Sequence, residues 1–125
     1  MLSLLLLLLL TSGADAQVKN PQVHVEVLTS ENQTLYVGFD NEIKISADGY
    51  KNSDLMISVS QGALSKTGAN YLLKLNNASN PQVIITINKR TKGKPKLLGE
   101  ETLTLKYLPK TAKFENGKIK DAGSK

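Results

Sequence analysis

Apolar and polar residues alternate along most of this chain. Gln22 to Leu28 reads QVHVEVL, with Val23, Val25 and Val27 on one side and His24 and Glu26 on the other. A period of two is that of a half-buried strand. The period recurs in Ile43 and Ile45, in Leu55, Ile57 and Val59, and in Tyr71, Leu73 and Leu75. It recurs again in Val83, Ile85 and Ile87, and in Leu103, Leu105 and Tyr107, each set predicted to face inward. Turn-forming residues separate these runs. They are Asp48-Gly49, Gln61-Gly62, a turn over Lys66 to Ala69 around Gly68, the loop Asn76 to Pro81, and the segment Lys89 to Lys96. Ala63 and Leu64 make at most a short pairing. No window of helical length has a 3.6-residue period. About seven short strands divided in this way predict an all-β fold, a β-sandwich.

The stretch Leu35 to Gly49, LYVGFDNEIKISADG, organises the rest. Leu35, Tyr36 and Val37 enter a strand. Gly38 permits a backbone conformation or a close approach that a Cβ would block. Asp40 and Asn41 favour a turn, because their short side chains bond back to nearby main chain. The core strand through Ile43 and Ile45 follows. Tyr36, Gly38, Asp40 and Asn41 are therefore a structural corner. Ile84 adds an apolar residue on the second face of its strand, as half-covered core at a sheet edge or as part of a docking strip.

The amino terminus breaks the pattern. Leu4 to Leu10 is an unbroken leucine run, and Ala14-Asp15-Ala16 supplies small residues at the positions a signal peptidase reads. Residues 1–16 read as a secretory signal cleaved after Ala16. The run is far shorter than the ~20 apolar residues that span a bilayer, so no membrane anchor is expected after cleavage. One domain is expected over residues 17–108. A polar, lysine-rich stretch follows over 109–125, a tail or the opening of a further element, in which Phe114 and Ile119 are the large apolar residues. The chain is expected to be exported, to the periplasm or the cell surface.

Composition narrows the chemistry. The absence of cysteine excludes a disulfide framework, a thiolate metal site and a cysteine nucleophile. With no tryptophan and two phenylalanines, the core must be aliphatic. His24 is the single histidine and falls on the polar side of its strand, as a solvated surface group. No Gly-x-Ser-x-Gly elbow, HExxH helix or phosphate-cradling glycine loop is present. Asp40 and Glu42 flank Asn41 without the spacing of a calcium loop. No catalytic residue, cofactor or metal is expected, and the chain reads as a non-enzyme.

The charge is uneven. Eleven of the sixteen lysines and arginines lie from Lys89 onward, against four carboxylates. Lys89, Arg90, Lys92, Lys94 and Lys96 form a basic hairpin with two readings. In one it is a solvated tip whose charges keep a β-edge from pairing with neighbours. In the other it contacts an anionic partner, such as lipid headgroups, a glycan or an acidic protein face. Nucleic acid is disfavoured by the export signal and by the lack of aromatics between the lysines.

Taken in order, these residues resemble a family. Tyr36, Gly38, Asp40, Asn41 and Ile43 resemble the opening of the penultimate domain of the GldM/PorM proteins, with Glu42 where that family usually has proline. Ser58 to Gly62, the segment GANYLL from Gly68, and LTLKYLPKTA from Leu103 resemble later steps of the same domain, with Lys106, Pro109 and Ala112 matching its exit and Thr111 replacing a second proline. The resemblance covers roughly Val23 to Gly117. It implies an immunoglobulin-like domain of the C-terminal part of periplasmic Bacteroidetes proteins that form dimers and serve type IX secretion and gliding. The expectation is an exported, stand-alone interaction domain with a protein partner in the cell envelope. Assembly with copies of itself is left open. The rival expectation is a ligand-binding module for anionic lipid or glycan through the basic hairpin. Motor coupling is not expected to carry over, because the anchor and earlier domains of that family are not in this sequence.

Overall fold

The computed structural model describes residues 22–110 and 112–121. The expected signal segment lies outside the described residues. Eight strands form the sandwich: β1 Val23–Val27, β2 Thr34–Val37, β3 Asp40–Ala47, β4 Leu55–Val59, β5 Ala63–Thr67, β6 Asn70–Lys74, β7 Gln82–Lys89 and β8 Lys96–Tyr107. A hairpin of β9 Ala112–Glu115 and β10 Lys118–Asp121 follows. One sheet has the order β1-β3-β6-β5 and the other β2-β8-β7-β4. This is the immunoglobulin arrangement, with a first strand split between the sheets. β1 runs antiparallel to β3, while β2 crosses over and runs parallel to β8.

The alternation written in the sequence fills the space between the sheets. Ile43, Leu73, Val83, Ile85 and Ile87 are fully buried, and Leu35, Ile45, Leu103 and Leu105 join them. Each fully buried aliphatic side chain contributes about 1.5–3 kcal/mol by leaving water. A cysteine-free domain of this size depends on that core.

Two predicted features of β8 differ from the structure. The last strand begins at Lys96 rather than near Glu101, because a bulge hides its period. Ile87 pairs with Gly99 and Asn88 with Leu97, so Leu98 is the extra residue and is buried while Leu97 is exposed. Tyr107, expected inward, is 64% exposed. β7 pairs with β8 only as far as Thr104, so at Tyr107 the sheet continues through β2 alone, and the Tyr107 hydroxyl accepts the Ala78 N–H at 3.4 Å.

Gly38 sits where the chain changes sheets, at φ +79°, and its N–H donates to the Leu75 carbonyl at 2.7 Å. Added Cβ atoms would meet open space there, so the conformation and not close packing selects glycine. Gly38→Ala should therefore cost about 1–2 kcal/mol of stability, read as a lower urea midpoint with an unchanged slope.

The stretch beyond Pro109 holds the β9–β10 hairpin, which folds back onto the sandwich. Ile119 is 4% exposed, its N–H donates to the Thr29 carbonyl at 2.8 Å, and it bridges in parallel to buried Ser30. Phe114 stacks at a tilt on Phe39, 5.8 Å between centroids. Lys120 reaches Glu31 at 3.6 Å and Glu115 at 3.4 Å. The hydrogen bond that Lys120 donates to Glu115 and the nearby charges of Glu31 and Glu115 hold its pKa above the ordinary lysine value. That attraction is present at neutral pH and fades only as pH rises through the raised value. Ile119 is the hairpin's one buried apolar anchor among the described residues. Ile119→Ala should speed amide hydrogen exchange over 112–120 by about tenfold or more while leaving β7 protected, because the hairpin opens as a local unit.

Candidate functional site

The corner is the most tightly bonded polar feature. Asn41 is fully buried at the start of β3. Its Oδ1 accepts the Tyr36 N–H at 2.9 Å. Its Nδ2 donates to the carbonyls of Tyr36 at 3.0 Å, Phe39 at 3.1 Å and Leu73 at 3.0 Å, two protons shared among three oxygens. One side chain thus ties β2 of one sheet to β6 of the other. Tyr36 is buried, and Asp40 forms an exposed pair with Lys74 at 3.6 Å. Exposed pairs contribute little. The Glu42 carboxylate accepts a hydrogen bond from Asn70 Nδ2 at 2.9 Å. The corner's polar groups are bonded to the protein itself.

His24 lies on the surface with Nε2 3.1 Å from Asp48 Oδ1. Among the described residues, no three histidines and carboxylates cluster so as to hold a metal.

The basic hairpin is divided by the fold. Lys92 and Lys94 are exposed at the tip, where Thr91 Oγ1 donates to the Lys94 carbonyl. Lys89 and Lys96 stand directly opposite each other across β7 and β8, a like-charge pairing that is mildly unfavourable. Arg90 leaves the tip. Its N–H donates to the Asp54 carbonyl at 2.8 Å, beside the 3₁₀ turn Asn52–Asp54, and its side chain lines a cleft with Lys66 and Tyr71. Lys66 Nζ stands 5.5 Å from the centre of the Tyr71 ring. Burial pushes the Tyr71 phenol above its usual value of 10.0, with the charge of Arg90 pulling the other way. The phenol is thus a neutral donor at ordinary pH.

Sequence reasoning missed Lys66 and Tyr71 as partners of Arg90. It read Lys66 to Ala69 as a turn, whereas β5 continues to Thr67 and pairs Lys66 with Tyr71. The signal was the step of two from Leu64 to Lys66. Ile84 is also placed differently: β7 is an interior strand, so Ile84 is 39% exposed on the outer sheet face and not at an edge.

A second cleft, of about 170 Å³, is apolar. Phe39, Leu108, Phe114 and Ile119 line it, and Leu108 and Phe114 are largely exposed. Among the described residues no helix is long and apolar enough to cross a membrane.

No curated protein matches the chain. The family described as GldM third domain matches residues 24–106, from the second residue of β1 to the last but one of β8, and so takes in both sheets of the sandwich. That family works in envelope protein complexes associated with gliding and type IX secretion, and its domain type is structural and protein-binding. Most of this chain, over the whole eight-stranded sandwich, belongs to the GldM third-domain family.

Proposed function

We propose that this chain is an exported, non-enzymatic immunoglobulin-like domain that docks onto a protein of the cell envelope, as an adaptor linked to type IX secretion and gliding. The family match over residues 24–106 carries the reading. Two further features support it. The polar groups of the corner are bonded within the fold, and the exposed apolar residues Leu108 and Phe114 border the cleft beside the hairpin. Exposed apolar surface with a charged group such as Lys113 at its border is the kind that partner proteins cover. Localisation to the periplasm or the cell surface follows from residues 1–16 acting as a cleaved signal.

A rival reading is favoured by one observation, the opposed Lys89 and Lys96 beside the exposed Lys92 and Lys94. An anionic lipid or glycan would relieve their repulsion. Affinity capture from a Bacteroidetes envelope extract, at low and high salt, separates the two. Docking predicts that secretion or gliding proteins are captured in 0.5 M salt, and equally by a Lys92→Ser, Lys94→Ser, Lys96→Ser variant. Capture of lipid or polyanion alone, lost at high salt and lost in that variant, would overturn docking, because exposed charges are screened within about 10 Å at 0.1 M salt and over still shorter distances above it.

A further inference from the structure

The sandwich is open on the side where β4 and β5 are both terminal strands. β4 pairs only with β7, and β5 only with β6. Each therefore turns one row of main-chain groups outward, the arrangement an added strand requires. The cleft that holds Arg90, about 300 Å³, lies along this side, toward the ends of the strands away from their connecting turn. Leu55, Met56 and Ile57 of β4 line it together with Lys66, Tyr71 and Arg90. The lining thus combines a strip of apolar side chains with two cations and no carboxylate. Asp54 lies between lining residues but is not itself on the lining. Among the described residues neither Lys66 nor Arg90 forms an ion pair.

We propose that an extended acidic segment of a protein partner pairs with the free edge of β4 and sets a carboxylate between Lys66 and Arg90. The inference rests on the docking reading and names the surface and the chemistry of the segment. A free edge alone would accept any strand. Cations at its flank exclude basic strands by repulsion and admit acidic ones, which is how charge sets specificity at an edge. A guanidinium matches a carboxylate with two parallel hydrogen bonds. Lys66 Nζ stands over the Tyr71 ring, 5.5 Å from its centre, which places the ammonium beside the cleft.

The test uses the ¹⁵N-labelled chain and an acetylated, amidated hexapeptide of alternating valine and glutamate. Its valine–glutamine and valine–lysine counterparts are the controls. The glutamate peptide should shift amide resonances of Leu55–Val59 and of Lys66–Tyr71, and bind at least about tenfold more tightly than either control. A Lys66→Ser, Arg90→Ser variant of unchanged melting temperature should lose about tenfold in affinity. High salt should weaken the glutamate peptide toward the affinity of the glutamine control, because Lys66 and Arg90 are exposed and exposed charges are screened. Equal binding of the glutamate and glutamine peptides would overturn the proposal. So would shifts confined to 92–96, or unchanged affinity in the double variant. Envelope capture that persists in a double variant unable to bind the peptide would overturn this surface while leaving the docking reading intact. Peptide binding at β4 without envelope capture would do the reverse.

Discussion

Asn41→Ala should lower the free energy of unfolding by about 3–5 kcal/mol, a large part of the total for a domain of this size. The side chain is fully buried and serves four main-chain groups. Truncation removes the acceptor for the Tyr36 N–H and the donors for three carbonyls. A buried amide or carbonyl stripped of its partner costs about 1–3 kcal/mol. Urea unfolding followed by fluorescence or circular dichroism gives the value from the shift in midpoint. Asn41→Asp is the sharper variant. It keeps the shape but turns acceptors toward three carbonyl oxygens. Burial and those dipoles would raise the folded pKa of the new carboxyl well above the unfolded value of about 3.9. The folded state then binds more protons than the unfolded one, so stability falls as pH rises through the unfolded pKa. Asn41→Asp should thus be least damaged below about pH 4 and worsen toward neutrality. If Asn41→Ala costs under about 1 kcal/mol, or if Asn41→Asp shows no such trend, the corner is not held by this amide.

That corner was visible in the sequence as a location and not as a mechanism. Gly38, Asp40 and Asn41 mark a turn by residue type, because their local preferences act within a few positions. The bond from Asn41 to Leu73 joins residues 32 apart in sequence, and no local pattern announces it. The period of two was enough for most of the core because strands such as β3 and β7 are half-buried, so burial and alternation coincide there. It failed where geometry departed from the ladder. The bulge at Leu98 reversed the alternation and hid the first part of β8. Tyr107 kept the inward phase but lies beyond the reach of β7, with β2 as its paired strand. The basic segment was read as one patch because its residues are contiguous. The fold sends Arg90 toward Lys66, two strands away in sequence, and leaves Lys92 and Lys94 in solvent. Resemblance to the GldM family supplied what alternation could not, since an ordered set of weak motifs across the chain specifies more than any of them alone.

Ile85 and Ile84 provide a paired prediction on one strand. They are the same residue type, adjacent on β7, and differ only in the face they occupy. Ile85 is fully buried and pairs with Val59 of β4, while Ile84 is 39% exposed beside Ser60 and Gln82. Ile85→Ala should cost about 3–4 kcal/mol, because it removes three buried carbons and leaves a cavity between sheets that cannot close around it. Ile84→Ala should cost less than about 1 kcal/mol, since water already reaches much of its surface and fills what is lost. The two urea midpoints, measured side by side, test the register of β7 directly. A slip of one residue would exchange the faces and with them the two values. Equal costs would mean that the outer face of this sheet is covered, which in a single domain requires a partner lying on Ile84. The comparison therefore also asks whether the exposed apolar residue on the outer sheet face is covered in solution. If Ile84→Ala is the costlier at high protein concentration and not at low, the cover is a second copy of the chain, because association stabilises in proportion to the logarithm of concentration.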